Sequence, residues 1–161
     1  MNIKGIEIER KYVLKRMPLL INVSGVMIHQ GYIHCKPPSS EIRVRRCGYQ
    51  YLLTTKSGYG LVRTETEVEI PQEVFDILWD STESYITKIR TTIGRWEIDL
   101  YTGDLMGLYT AEIELETEYE EVQFPKEVLD IPKFEVTNDE RFKNKNLSSF
   151  DISWLQYIPF E

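Results

Sequence analysis

The strongest constraint in this chain is an alternation, strand after strand, of charged with apolar side chains. Ile6-Glu7-Ile8-Glu9-Arg10-Lys11-Tyr12-Val13 puts Glu7, Glu9 and Lys11 on one face of an extended segment, and Ile6, Ile8 and Tyr12 on the other. Glu41-Ile42-Arg43-Val44-Arg45 repeats the pattern with basic residues. Arg63-Thr64-Glu65-Thr66-Glu67-Val68-Glu69-Ile70 repeats it with acids, and Tyr51–Lys56 reads as a strand ending before the turn Ser57-Gly58-Tyr59-Gly60. Further strands are predicted over Tyr85–Thr92, Arg95–Tyr101 and Tyr109–Glu118, with Gly103 and Gly107 in a loop between the last two.

Helices are few and short. Pro71 stands at a first helical position, followed by Val74, Phe75, Leu78 and Trp79 at helical spacing. One or two helical turns fit between Pro125 and Pro132. Thr137-Asn138-Asp139-Glu140 has capping-box spacing for a last helix carrying Arg141–Asn144. Many antiparallel strands with few helices favour a barrel or strongly curved sheet, because closure removes unpaired edges. With 161 residues and no repeat or low-complexity tract, the expectation is one domain over 1–161.

The charges decide what such a sheet is for. Carboxylates recur at i, i+2 spacing in Glu7 and Glu9, in Glu65, Glu67 and Glu69, in Glu97 and Asp99, and in Glu112, Glu114 and Glu116. Lys11, Arg43 and Arg45, Lys56, and Lys88 and Arg90 are the cationic equivalents. Any one ladder is what a solvated sheet face shows. Like charges along one face repel, so each costs stability alone. Segregation by sign across so many strands points instead to ladders that face one another and form a site.

A triphosphate is the ligand class this set suits. Its charges call for Lys and Arg donors, and Arg grips phosphate oxygens in bidentate fashion. Carboxylates cannot touch that anion directly and need hard divalent cations, Mg²⁺ or Mn²⁺, between. One pair at ~4 Å in an effective dielectric of about 20 is worth on the order of 4 kcal/mol. A net charge of −7 argues against nucleic-acid duplexes bound through the general surface field, but not against local anion binding.

Other signals are weak. No glycine-rich phosphate loop leads into a helix. His29 and His34 are poorly spaced for a shared metal. Cys35 and Cys47 make no metal or disulfide pattern and fit packing in a reducing, cytoplasmic setting. No apolar run is long enough for a signal or membrane span, so the expectation is a soluble protein with no membrane partner. Tyr32 is open between packing and lining the site.

Taken in order, the motifs resemble the CYTH, or triphosphate tunnel metalloenzyme, superfamily. Glu7-Ile8-Glu9-Arg10-Lys11 looks like its ExExK signature. Gln30–Ile33, Glu41–Arg45, Thr55–Gly58, Arg63–Glu67, Thr87–Arg90, Trp96–Asp99, Ala111–Glu114 and Asp139–Asn144 follow in the family's order, across nearly the whole chain.

The resemblance implies an eight-stranded antiparallel tunnel barrel, all-β dominated, with a charged interior and short helices outside. The triphosphate-gripping cations fall on Lys11, Arg43, Arg45, Lys56, Lys88 and Arg90. Two divalent cations fall among Glu7, Glu9, Glu65, Glu67, Asp99, Glu112 and Glu114. Glu7, Glu9, Lys11, Glu112 and Glu114 form the implied catalytic group, with the general base from one of the two glutamate pairs. Arg141 and Lys143 resemble a segment that approaches one tunnel mouth.

Members of the superfamily cleave tripolyphosphate, thiamine triphosphate or RNA 5′-triphosphate ends, and class IV adenylate cyclases convert ATP to cyclic AMP. The compact length and the Gly-Tyr-Ile strand are most similar to small bacterial inorganic triphosphatases. Metal-dependent hydrolysis of tripolyphosphate is the leading expectation, with cyclisation of ATP and non-catalytic polyphosphate or nucleotide binding as rivals. The apolar outer faces call for helices or a second copy, and a homodimer is expected.

Overall fold

The computed structural model describes residues 5–36, 39–58, 62–149 and 152–160. Its strands are β1 Ile6–Leu14, β2 Val26–Ile33, β3 Ser40–Cys47, β4 Gln50–Ser57, β5 Val62–Glu69, β6 Ser84–Ile93, β7 Trp96–Tyr101, β8 Tyr109–Glu114 and β9 Lys133–Glu135. The sheet order is β5-β4-β3-β2-β6-β7-β8-β1-β9, and β5 also pairs with β1. That extra pairing closes eight strands into an antiparallel barrel and leaves β9 as an addition. β1 makes both possible. Ile6–Ile8 pair with β5, while the far end, Tyr12–Leu14, has outrun β5 and takes β9 on that edge.

The period-two pattern sorts side chains between lumen and exterior. On β1, β7 and β8 the outward residues Tyr12, Trp96, Ile98, Ala111 and Ile113 are buried beneath Leu115, Val128 and Ile131. Val128 and Ile131 belong to the segment carrying the short helix α2, Lys126–Leu129. Tyr12, Trp96 and Phe124 pack with ring centroids 4.8–6.0 Å apart. On the opposite side, α1 (Gln72–Trp79) covers β3 and β4 through Phe75, which meets Tyr51. Gly31 on β2 is a close-approach position: a Cβ there would lie 2.5 Å from Thr82 Cγ2 and 3.1 Å from the Trp79 ring.

Several sequence expectations shift at their edges. β8 stops at Glu114, before the predicted Glu118, and Leu115 turns into the outer core. Pro71 is the N-cap residue of α1 at ψ 152°, one place ahead of the expected first helical position. The predicted last helix is instead a 3₁₀ turn, Glu140–Phe142, followed by α3, Asn144–Leu147. Its cap is Asp139, which accepts from the Arg141 N–H, not Thr137. The Thr137 hydroxyl is committed elsewhere, accepting from the Lys11 N–H and donating to Glu135. In the predicted turn after β4, Tyr59 and Gly60 lie outside the described residues. Among the described residues no helix is long and apolar enough to cross a membrane.

Candidate active site

The barrel interior is where the ladders meet. Its cavity has two chambers, of about 90 Å³ and about 230 Å³. Both are lined by Glu7, Glu9, Arg43, Lys56, Glu112 and Asn144. The smaller adds Lys11, Tyr32, Glu41, Arg63 and the Val136–Asn144 region, including Phe142 and Lys143; the larger adds Arg45, Glu65, Glu67, Arg90, Arg95, Glu97 and Glu114. Every sequence-predicted site residue except Lys88 and Asp99 therefore borders a chamber. Those two are fully buried in the wall behind.

Register pairing explains the contacts. Lys56 stands opposite Glu65 across β4 and β5, and its ammonium bridges Glu65 and Glu7, each at 2.8 Å. Arg43 is opposite Thr54, donating to its hydroxyl at 3.2 Å and reaching Glu67 at 3.5 Å. The Arg43 Nε is buried without a hydrogen-bond partner among the described residues. Lys11, opposite Glu112, pairs with it at 2.9 Å and donates to the Phe142 carbonyl, also at 2.9 Å.

Asp99, expected among the metal ligands, is engaged on both oxygens. Oδ2 accepts from Lys88 Nζ and Arg90 Nη2 at 2.6 Å each, and Oδ1 from Arg90 Nε at 2.7 Å. Arg90 also touches Glu97 and lies 3.6 Å from Glu112.

The electrostatics follow from this crowding. Burial pushes Glu9 up to about 8, reinforced by the nearby charge of Glu112. Glu7 is also raised, by burial against the opposing pull of Lys56. Burial acts in the same upward direction on Glu65 and Glu112. It is outweighed at Glu65, chiefly by Lys56, and at Glu112, chiefly by Lys11, leaving each near 2. Lys88 falls to about 8 because it is buried and shares Asp99 with Arg90, whereas Asp99 between two cations stays well below the usual carboxylate range.

Glu9 makes no hydrogen bond or contact ion pair with a described residue, and burial keeps it largely protonated at neutral pH, so a cation bound beside it would displace its proton. Among the described residues, no three Asp, Glu, His or Cys side chains converge tightly enough to cage a metal alone. That donor set fits a hydrated divalent cation sharing one or two carboxylates with a phosphate ligand, as Mg²⁺ does, and does not fit an all-protein cage.

One end of the lumen is sealed. There the inward positions turn apolar or aromatic, with Val13, Ile86 and Tyr101 packing against Val136, Phe142 and Leu147. Tyr101 donates to Asn144 at 2.5 Å, tying α3 to the wall. Lys143 lines the smaller chamber, while Arg141 is exposed and paired with Asp139. Sequence reasoning left Glu41, Arg63, Thr54, Gln30 and Asn144 out of the site. The first four could have been found, since Glu41 is two residues from Arg43, Arg63 from Glu65, Thr54 from Lys56, and Gln30 from Tyr32. Glu69 is exposed at the end of β5, and Glu116 lies beyond β8. Tyr32 faces the lumen. Cys35 and Cys47 are free thiols.

A closed antiparallel barrel with opposed acidic and basic ladders across a polar lumen defines a tunnel protein of the CYTH type. The chain belongs, within that superfamily, to the inorganic triphosphatase family. It is 34% identical over 150 residues to the inorganic triphosphatase of Nitrosomonas europaea, covering 88% of this chain and 96% of that one. It is likewise 34% identical over 152 residues to the inorganic triphosphatase of Acetivibrio thermocellus, covering 89% and 93%. The crystal structure of the inorganic triphosphatase NE1496 superposes with a TM-score of 0.62 at 30% identity, over 93% of this chain and 99% of that one. A conserved hypothetical protein from Pyrococcus furiosus shares the fold at 19% identity, with a TM-score of 0.53 over 70% of this chain and 80% of that one. No family model matches the sequence.

Proposed function

We propose that this protein hydrolyses a small inorganic triphosphate, with tripolyphosphate as substrate and two divalent cations, Mg²⁺ or Mn²⁺, as cofactors. The observation that carries this reading is that Arg43 and Lys56 border both carboxylate-lined chambers, with Lys11 in the smaller, Arg45 and Arg90 in the larger, and Lys88 behind. The names of the two relatives support the same substrate class.

In this reading Arg43, Arg45, Lys56 and Arg90 take phosphate oxygens and neutralise charge as the phosphoanhydride breaks. Lys11 is held by Glu112 and the Phe142 carbonyl, and its remaining N–H would go to a terminal phosphate oxygen. Lys88 and Arg90 are set by Asp99, so their positive field is fixed before substrate arrives. Glu7, Glu9, Glu65, Glu67, Glu112 and Glu114 would hold the divalent cations. When bound, these supply charge neutralisation and acidify the attacking water. A carboxylate of the Glu7/Glu9 or Glu112/Glu114 pair accepts that water's proton. Binding is an exchange of partners: phosphate takes the Lys56 ammonium, and the released Glu7 and Glu65 are left to counter the metal charge.

The test incubates the protein with Mg²⁺ or Mn²⁺ and, separately, tripolyphosphate, ATP or thiamine triphosphate, and measures phosphate, pyrophosphate and cyclic AMP. Phosphate and pyrophosphate from tripolyphosphate, lost on chelation, are expected. Cyclic AMP from ATP with an inert tripolyphosphate would identify a cyclase instead, and binding without product a non-catalytic module. We further propose a homodimer joined through exposed outer residues such as Met27 and Tyr85, checked by light scattering, and a reducing, cytoplasmic setting for the two thiols.

A further inference from the structure

Gln30 has no accessible surface and borders neither chamber, yet it touches one residue of each. Its Oε1 accepts from Arg45 Nε at 3.1 Å, and its Nε2 donates to the Tyr32 hydroxyl oxygen at 2.5 Å. Arg45 lines the larger chamber and Tyr32 the smaller. The orientation of the amide is forced. A guanidinium can only donate, so the Gln30 oxygen must face Arg45 and the amide NH₂ must face Tyr32. The phenol oxygen therefore spends a lone pair on Gln30, and its own hydrogen is left to point elsewhere. Among the described residues that hydrogen has no acceptor.

We infer that Gln30 is a positioning residue that fixes the Tyr32 O–H as a hydrogen-bond donor into the lumen, where a phosphate oxygen of the substrate takes it. The chain runs one way, from Arg45 through Gln30 to Tyr32 to ligand, and each bond polarises the next. This rests on the triphosphatase reading only for the identity of the acceptor. Any anion with free oxygens in the smaller chamber would meet the same donor.

Gln30→Glu reverses the arrangement at constant shape. The carboxylate still accepts from Arg45, but it presents an acceptor to Tyr32, whose O–H turns towards it and away from the lumen. Expected is a fall of about tenfold or more in kcat/KM for tripolyphosphate, and less than twofold when the same change is made in Tyr32→Phe. The deficit should shrink as pH is lowered, because protonating the introduced carboxylate restores a donor to Tyr32. Gln30→Met, which buries no charge, guards against misfolding and should show the same dependence on Tyr32. Equal losses with and without the Tyr32 hydroxyl, or activity within twofold of wild type, would overturn the inference. Should the wild-type protein bind tripolyphosphate without cleaving it, the triphosphatase reading fails, and the same cycle is then read in Kd by calorimetry.

Discussion

Asp99→Asn separates two roles a lumen carboxylate can have. Asp99 is fully buried, and three donors at 2.6–2.7 Å occupy its oxygens. Removing its charge leaves Lys88 and Arg90 facing each other in the wall. Breaking a buried ion pair from one side costs about 3–5 kcal/mol. Asparagine keeps one acceptor oxygen, so the lower end, about 3 kcal/mol, applies. For a domain of this length that lowers Tm by roughly 6–12 °C, read by circular dichroism without ligand. The freed Arg90 borders the larger chamber and still attracts phosphate, so tripolyphosphate at a hundred times its Kd should return about 2.7 kcal/mol, most of the loss. A metal ligand would behave in the opposite way: its removal would relieve repulsion with neighbouring carboxylates and spare the ligand-free protein. An unchanged Tm in the ligand-free variant, or a variant rescued by raised Mg²⁺ and not by tripolyphosphate, refutes the clamp.

The remaining tests divide between site and scaffold. Arg43→Ala should raise KM for tripolyphosphate by about tenfold to a hundredfold, the worth of a hydrogen bond to a charged group. Glu9→Ala should instead lower kcat by about a hundredfold and weaken dependence on added Mg²⁺, both from steady-state phosphate release. Gly31→Ala forces a methyl against Thr82 and Trp79 and should destabilise by about 1–3 kcal/mol in urea unfolding, with tripolyphosphate turnover retained in the folded fraction. Glu135 is held below its ordinary range mainly by hydrogen bonds from Arg10, at 2.8 and 2.7 Å. Its stabilisation is therefore full above the unfolded carboxylate pKa and lost as pH falls through the lower folded value. Because the pair is partly exposed, Glu135→Gln should cost at most about 1 kcal/mol at neutral pH, and nothing once both states are protonated.

Much of the barrel was legible because period-two alternation marks a strand whichever face is wet, and the sorting of charge by sign across strands marked the polar face as the inside. Part of what was missed lacked that contrast. β9 is three residues, too short for any period, and exists because β1 outruns β5. The sealed end could have been read from the same ladders. Glu7-x-Glu9-x-Lys11 runs on to Val13, Lys88 is preceded on its face by Ile86, and Asp99 is followed by Tyr101. On three strands the inward face changes from charged to apolar or aromatic, and all three changes lie at the end where Phe142 packs. The expected capping box failed because spacing does not reveal competition: Thr137 had a stronger use against Lys11 and Glu135.

Charge sorting also explains how an acidic protein can hold an anion and still fold without it. A lumen of Lys11, Arg43, Arg45, Lys56, Lys88 and Arg90 alone would face the desolvation cost of unpaired buried charge. Here each is met by a carboxylate or an amide oxygen: Lys11 by Glu112, Arg43 by Glu67, Lys56 by Glu7 and Glu65, Lys88 and Arg90 by Asp99, and Arg45 by Gln30. These pairs differ in how firmly they are closed. Lys88 and Asp99 are both wholly buried, so theirs is a fixed part of the wall. Arg43 has a buried Nε with no partner among the described residues and its contact with Glu67 is long, and Lys56 bridges two carboxylates that line the cavity. The Arg43 and Lys56 contacts border the chambers and the Lys88–Asp99 pair lies behind them, so under the proposed function phosphate would take the first two without dismantling the wall.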